Sequence, residues 1–295
     1  MSERLADVAP PRRATRLSLG ATAPRALLWL YGAVVISGGL AGLVVLLTPS
    51  LRHLYEHQDL ADTFKAPLTD GHVFGTDNLG RDLFWRCLAG LGVSLVVGLG
   101  VAAISMVVGL VIGILSGFFG RAADVTATVG VDVTWAFPAI LLAIVLTGAR
   151  GPGLITVVMA LALTSWAGFA RLVRGEVLAL REREFVSAAL VLGVSKLRIS
   201  VRHFLPALLP LSLVMGAFFV STSVAAEAGL SFLGLGTQPP TPSLGSILAD
   251  GRLYVSVSPW PIIAAGSFLA VTVIFFNTVG DRLRDRWDPR EVTRS

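Results

Sequence analysis

Few side chains in this sequence are able to do chemistry, and they fall into three sets. His53 and His57 stand four apart, a spacing that places two imidazoles on one helix face as metal ligands. No further ligand set joins them, and His72 does not complete one, so a solvated loop is the expected setting. Asp77, Arg81 and Asp82 form a compact charged turn. An Asp–Arg pair in such a turn holds loop structure more readily than it grips a ligand, and an exposed pair contributes about 1 kcal/mol or less. Glu227 stands in an apolar stretch, where a carboxylate needs a partner, a proton or water. It either lines a path through the bilayer, as a gate, or ties its segment to a neighbour; the structural role is the expected one.

Other chemistries lack their residues. The only lysines are Lys65 and Lys196, and neither closes a G-x-x-x-x-G-K-[ST] phosphate loop, so no ATP hydrolysis is assigned to this chain. No nucleophile–base set stands out for a catalytic site. Ser105 and Ser165 lie within apolar runs, where a hydroxyl ordinarily bonds its own helix backbone. The single Cys87 excludes an internal disulfide and a Cys-based metal site.

The segments that must position these residues are overwhelmingly apolar. Only 15% of the chain is charged, against about a quarter in soluble domains, and mean hydropathy is +0.75. The chain is therefore an all-α integral membrane protein. Its net charge of +5 fits retention of basic residues in cytoplasmic loops, not nucleic-acid binding. Apolar runs predict about six spans, at 26–47, 91–118, 135–147, 154–169, 207–235 and 261–279. The first run is too long for a signal-peptide core and is read as a retained span. Residues 82–88 are expected to begin an amphipathic helix at the membrane surface. Gly109, Gly113 and Gly117 give the second span a small-residue face for close packing. Asp132 interrupts the third span and Pro138 is expected to kink it. Eighteen of the 24 Lys and Arg residues fall in 1–25, the 120s turn, 171–205 and 282–295, which places both termini and the 171–205 segment in the cytoplasm. The organisation is then a basic disordered tail (1–25), a first span with an outer loop and surface helix (26–90), a core domain (91–281) and a cytoplasmic tail (282–295).

The most informative polar stretch is 171–210, between spans four and five. Arg171, Arg174, Arg181, Arg183, Lys196, Arg198 and Arg202 are too many cations for lipid. Residues 176–192 carry good helix formers without internal Gly or Pro, which predicts one helix. Gly193 would end it in a left-handed cap, Ser195 would cap a second short helix, and Pro206 would mark the start of the next span. Two helices with a bend make a rigid plug suited to a soluble partner.

Phe185, Val186, Ser187, Ala188, Ala189, then Gly193 and Leu205-Pro206, resemble the "EAA" loop of ABC-importer permeases, with Ser187 where that family has Glu. Gly75, Thr76, Asp77, then Leu79, Gly80, Arg81 and Asp82, are similar to the segment after the first span of dipeptide, oligopeptide and nickel importer permeases. The run from Glu227 to Gly236, followed by Gln238-Pro239-Pro240, and Ala136-Phe137-Pro138, fit the same group, in the "C" member of the permease pair. The resemblance spans roughly 26–289. It implies the type I importer fold, and a role for 171–205 as the element that couples to an ATPase. It also implies a second related permease, one or two cytoplasmic ATPases carrying ATP and Mg, an external substrate-binding protein, and the plasma membrane of a prokaryote. This chain would bind no cofactor of its own. Peptides are the expected cargo; nickel or haem import by the same family, and a self-contained secondary transporter, are the alternatives.

Overall fold

The computed structural model describes residues 25–287, with side chains from residue 31 onward. The expected basic tail lies, at 1–24, outside the described residues, as do 288–295. The chain folds as α1 (Arg25–Leu47), α2 (His53–Glu56), α3 (Leu83–Phe118), α4 (Arg121–Ala136), α5 (Ala139–Arg150), α6 (Leu154–Arg181), α7 (Glu184–Val191), α8 (Lys196–Ile199), α9 (Leu205–Phe232), α10 (Leu244–Arg252) and α11 (Trp260–Trp287). Among the described residues there is no strand, only the isolated bridges Thr69–His72 and Thr76–Asp82. Four helical stretches are long and apolar enough to cross a membrane: Leu83–Phe118, Leu154–Arg181, Lys196–Phe232 and Trp260–Trp287. Two bent pairs, joining α1 to 49–56 at 101° and α4 to α5 at 82°, raise the number to six when each is one span.

The seam between α3 and α6 is the centre of the bundle. The three glycines on α3 face Phe169, Val173 and Val177 of α6, close enough that a Cβ on Gly109 or Gly113 would lie 2.6 Å from a Cβ of that helix. Here small residues let backbones approach, as the four-residue spacing predicts. Below this seam one apolar cluster unites Leu110 and Phe118 of α3, Phe169, Val173 and Val177 of α6, and Val186, Ile199, Phe204 and Leu208. The polar stretch is thus anchored in the core by its own buried residues.

The structure corrects several boundaries. No surface helix exists at 82–88. Asp82 caps α3 by accepting from Phe84 N (2.8 Å) and Trp85 N (3.2 Å), and the helix then runs unbroken for 36 residues. Leu83 and Cys87 are fully buried against Leu244, Ile247, Ala264 and Ala265, so this turn packs on protein instead of lying on a lipid surface. The helix expected over 176–192 is two: α6 continues to Arg181, and Arg183 is extended (ψ 141°) before α7 begins. After that break Val186 is buried in the core. The second short helix does not stop at Pro206. A π-helical turn at Ser200–Phe204 joins α8 to α9, so Lys196–Phe232 is one continuous helix. The last span is also longer than expected, reaching Trp287 within the predicted 282–295 tail. The loop 236–260 contains α10, closed by a capping box between Ser243 and Ser246. Ser105 is fully buried and its hydroxyl has no hydrogen-bond partner among the described residues, against the expected bond to its own helix.

The bend between α4 and α5 falls where the sequence places it. Pro138 lacks an N–H, and Phe137 before it is held extended at φ −98°, ψ 120°, as a residue preceding proline prefers. Asp132 does not interrupt a span unaided. It pairs with Arg171 at 2.8 Å, and that guanidinium lies 4.0 Å over the Trp135 ring. Asp124 holds Arg174 by two bonds, at 2.5 and 2.9 Å, and accepts from Ser116 Oγ at 2.7 Å. Arg171 and Arg174, expected in an aqueous loop, therefore belong to α6 and tie it to α4.

Candidate functional site

Two regions carry the sequence-predicted residues, one at each end of the bundle. At the outer end, Asp77 is 2% exposed and accepts four hydrogen bonds. Leu79 N (2.8 Å) and Arg81 N (3.0 Å) meet Oδ1; Arg81 Nε (2.7 Å) and Arg86 Nη1 meet Oδ2. Gly75 and Gly80 have φ of +78° and +70°, and a Cβ on either would collide with the backbone of Lys65 or Asp59. Glycine is required at both bends, because the loop folds back against its own first half.

The triad expected here as one charged turn is split. Asp77 serves Arg81, while Asp82 caps α3 and meets His72 Nδ1 at 2.6 Å. Arg86 is not among the residues that the sequence analysis singles out. It is 4% exposed, bound by Asp77, and reaches Asp250 of α10 at 3.4 Å. The available signal was an arginine one turn inside an apolar helix, which demands a carboxylate. Burial, and the neighbouring Arg86 guanidinium, push Arg81 below the usual arginine range, against the opposing pull of Asp77. His53 sits in α2 with Nδ1 2.7 Å from the Ser50 carbonyl, and the described residues bring no third ligand to it and His57.

Glu227 lies deeper, 1% exposed. Ser94 Oγ of α3 donates to Oε2 at 2.9 Å, and Ser231 Oγ, one turn along α9, donates to Oε1 at 2.6 Å. The carboxylate thus joins α3 to α9. Removing it leaves two buried hydroxyls without their acceptor, at a cost of about 1–3 kcal/mol. We predict that Glu227→Ala lowers the melting temperature of the detergent-solubilised protein by several degrees, while Glu56→Ala, at a half-exposed position on α2, changes it little. Equal melting of both variants would remove the clasp from the account.

At the inner end the eight expected coupling residues separate into two groups. Val186 is fully buried, and Ala189 and Leu205 pack against the same cluster. Phe185, Ser187, Ala188, Gly193 and Pro206 are exposed. Gly193 has φ +77° and closes α7 with bonds from Gly193 N to Leu190 O and from Val194 N to Ala189 O, both 3.0 Å. Ser195 caps the next turn through Arg198 N. Beyond the expected residues, Val191 and Leu192 are 88% and 82% exposed at the tip, and Leu197 and Val201 also face outward. Leu192 ends the stretch expected to form one helix, and its position after the last turn of α7 puts it in the open. These apolar side chains are thus bared on a strongly cationic element.

Comparison with known proteins completes the picture. Residues 109–292 match the family described as binding-protein-dependent transport system inner membrane component. The chain is 39% identical over 238 residues to the oligopeptide transport system permease protein OppC of Haemophilus influenzae, covering 80% of this chain and 76% of that one. It is 35% identical over 262 residues to the dipeptide transport system permease protein DppC of Alkalihalophilus pseudofirmus, covering 88% and 85%. The fold is similar to that of a chain in the inward-facing MetNI methionine ABC transporter, with a TM-score of 0.57 at 20% identity over 68% of this chain and 96% of that one. Sequence, helical architecture and relatives agree: the chain belongs to the inner-membrane components of binding-protein-dependent transport systems, as a multi-pass permease subunit of the ABC-importer type.

Proposed function

We propose that this chain forms half of the translocation path of an ATP-driven peptide importer in a prokaryotic plasma membrane. The observation that carries the coupling reading is the division of residues 184–205 into a buried side fixed to α3, α6 and α9 and a bare apolar tip. The names of the curated relatives, which refer to oligopeptide and dipeptide transport, favour peptides over nickel or haem. A second, related permease would cover the exposed apolar faces of α4 and α5, which include Val133, Ile140, Ile144 and Val145. One or two ATPases would seat on the tip and carry ATP and Mg; this chain would bind neither and catalyse no reaction. A substrate-binding protein would deliver cargo at the outer loops.

In this mechanism, closure of the ATPases displaces the tip. Val186, Ile199 and Phe204 then pass the displacement into Phe118, Val173 and Leu208, because close-packed interiors move as bodies. The helices tilt between two arrangements, and access switches from outside to inside. The basic 171–205 segment lies on the cytoplasmic side in this reading, with both termini.

Gly193→Trp tests it. Nothing lies within 4 Å of a Cβ at Gly193, so the indole projects into the open. The left-handed backbone adds strain of about 1–2 kcal/mol, too little to unfold the bundle. The variant should insert and purify normally but lose most of its co-purifying ATPase. Undiminished ATPase capture would overturn the coupling role.

A further inference from the structure

A groove of about 420 Å³ opens at the outer end of the bundle, within the size range of small-ligand sites. Arg81 and Arg86, Phe232 at the end of α9, and Pro239, Pro240 and Asp250 are among the residues that line it. Each guanidinium gives one N–H to Asp77. The remaining edges turn to a single oxygen, Asp250 Oδ2, at 3.4 Å from Arg86 Nη2 and 3.7 Å from Arg81 Nη2. These are long for charge-assisted bonds, which close at about 2.7–2.9 Å. The Asp250 side chain is also 48% exposed, so water competes for it. Arg252, whose guanidinium lies 4.8 Å over the Phe232 ring, adds a third cation at the rim. Three cations therefore stand against two carboxylates. Independently, Thr237 is 8% exposed, lines the groove, and has a buried hydroxyl with no partner among the described residues.

We propose that this groove binds the α-carboxylate of a short peptide as it leaves the delivering protein. The peptide carboxylate takes the guanidinium edges that Asp250 holds at long range. The apolar and proline walls accept peptide side chains of varied size, since none of them reads a particular group. Asp250 acts as a resident competitor, which keeps the two arginines paired when the groove is vacant and yields to cargo. The peptide identity rests on the function proposed above; the preference for a carboxylate rests on the groove alone.

The test uses the full-length chain in lipid nanodiscs and two probes, trialanine and trialanine amide, which differ at the C-terminal charge. Titration by saturation-transfer NMR should show the acid binding about tenfold more tightly than the amide, the scale of a charge-assisted pair. Arg81→Gln should abolish that preference. Asp250→Asn, at an exposed position that spares folding, should enlarge it. Equal binding of acid and amide, or a preference unmoved by Asp250→Asn, overturns the proposal. Acetate against acetamide provides a separate arm. If the assembled transporter takes up no peptide, yet acetate is preferred in an Arg81-dependent way, the peptide reading fails and the carboxylate site stands. If trialanine does not bind, while both variants change affinity for the external binding protein, the groove receives a protein carboxylate and the proposal is wrong.

Discussion

Asp77→Ala should destabilise this protein by about 3–5 kcal/mol, the range for removing one partner of a buried ion pair. Asp77 is the nearest anion for both Arg86, which is 4% exposed, and Arg81 among the described residues, with Asp250 farther off at 3.4 and 3.7 Å. Its removal leaves two guanidiniums with the longer-range and half-exposed Asp250 as their remaining ion-pair partner among the described residues. It also strands Leu79 N and Arg81 N, which close the turn around Gly80. The expected result is a large fall in melting temperature of the solubilised protein, with proteolytic cleavage appearing first in 59–82. Asp250→Ala, which removes the weaker and more exposed carboxylate, should cost about 1 kcal/mol or less. Adding Arg86→Leu to Asp77→Ala should restore part of the loss, because the uncompensated charge is then gone. A melting temperature that drops no further for Asp77→Ala than for Asp250→Ala would show that the outer loop is held by something else.

Gly113→Leu attacks the opposite end. A Cβ there lies 2.6 Å from Val173 Cβ and 2.8 Å from the Ala170 carbonyl oxygen, and the second contact is backbone that cannot rotate aside. Forcing methylenes into such a seam costs about 1–3 kcal/mol or more, and here it also pries α3 from α6. Val173 belongs to the cluster that seats Val186, Ile199 and Phe204, so displacement reaches the proposed coupling segment. The variant should yield little monodisperse protein, and what survives should capture ATPase poorly. Gly148→Leu is the matched control, since its Cβ would meet open space on α5. Adding Val173→Ala should rescue Gly113→Leu only in part, because the Ala170 carbonyl remains. Size-exclusion profiles of Gly113→Leu and Gly148→Leu that superimpose would refute the packing argument.

Local pattern disclosed what local forces decide. The spans follow from apolar runs, the glycine face from four-residue spacing, the bend at Phe137-Pro138 from proline, and the left-handed cap from Gly193. Two kinds of feature escaped. The first is continuity: nothing near Asp82 shows whether the following turn lies on a membrane or packs under α10, since Leu83 and Cys87 are apolar either way. The second is pairing across distance. Arg86 and Asp250 are separated by 164 positions, and Ser94 and Glu227 by 133, so no spacing rule relates them. For the same reason Asp132 reads as an interruption until Arg171 is placed beside it. The 182–183 break escaped because every residue there is a fair helix former.

The unbroken passage from α8 through the π-helical turn into α9 makes the two attachments of the cytoplasmic element unequal. Toward α6 it has a joint at Glu182–Arg183; toward α9 it has none. Thirty-seven residues rising about 1.5 Å each make a rod of roughly 55 Å, running from Lys196 to Phe232, in the wall of the outer groove. Under the proposed coupling, torque applied at the inner end would be delivered to the mouth by one crankshaft, and a guest lodged in the mouth would load the same shaft from above. In the proposed mechanism, the ATPase contact and the cargo groove would be, mechanically, the two ends of a single part.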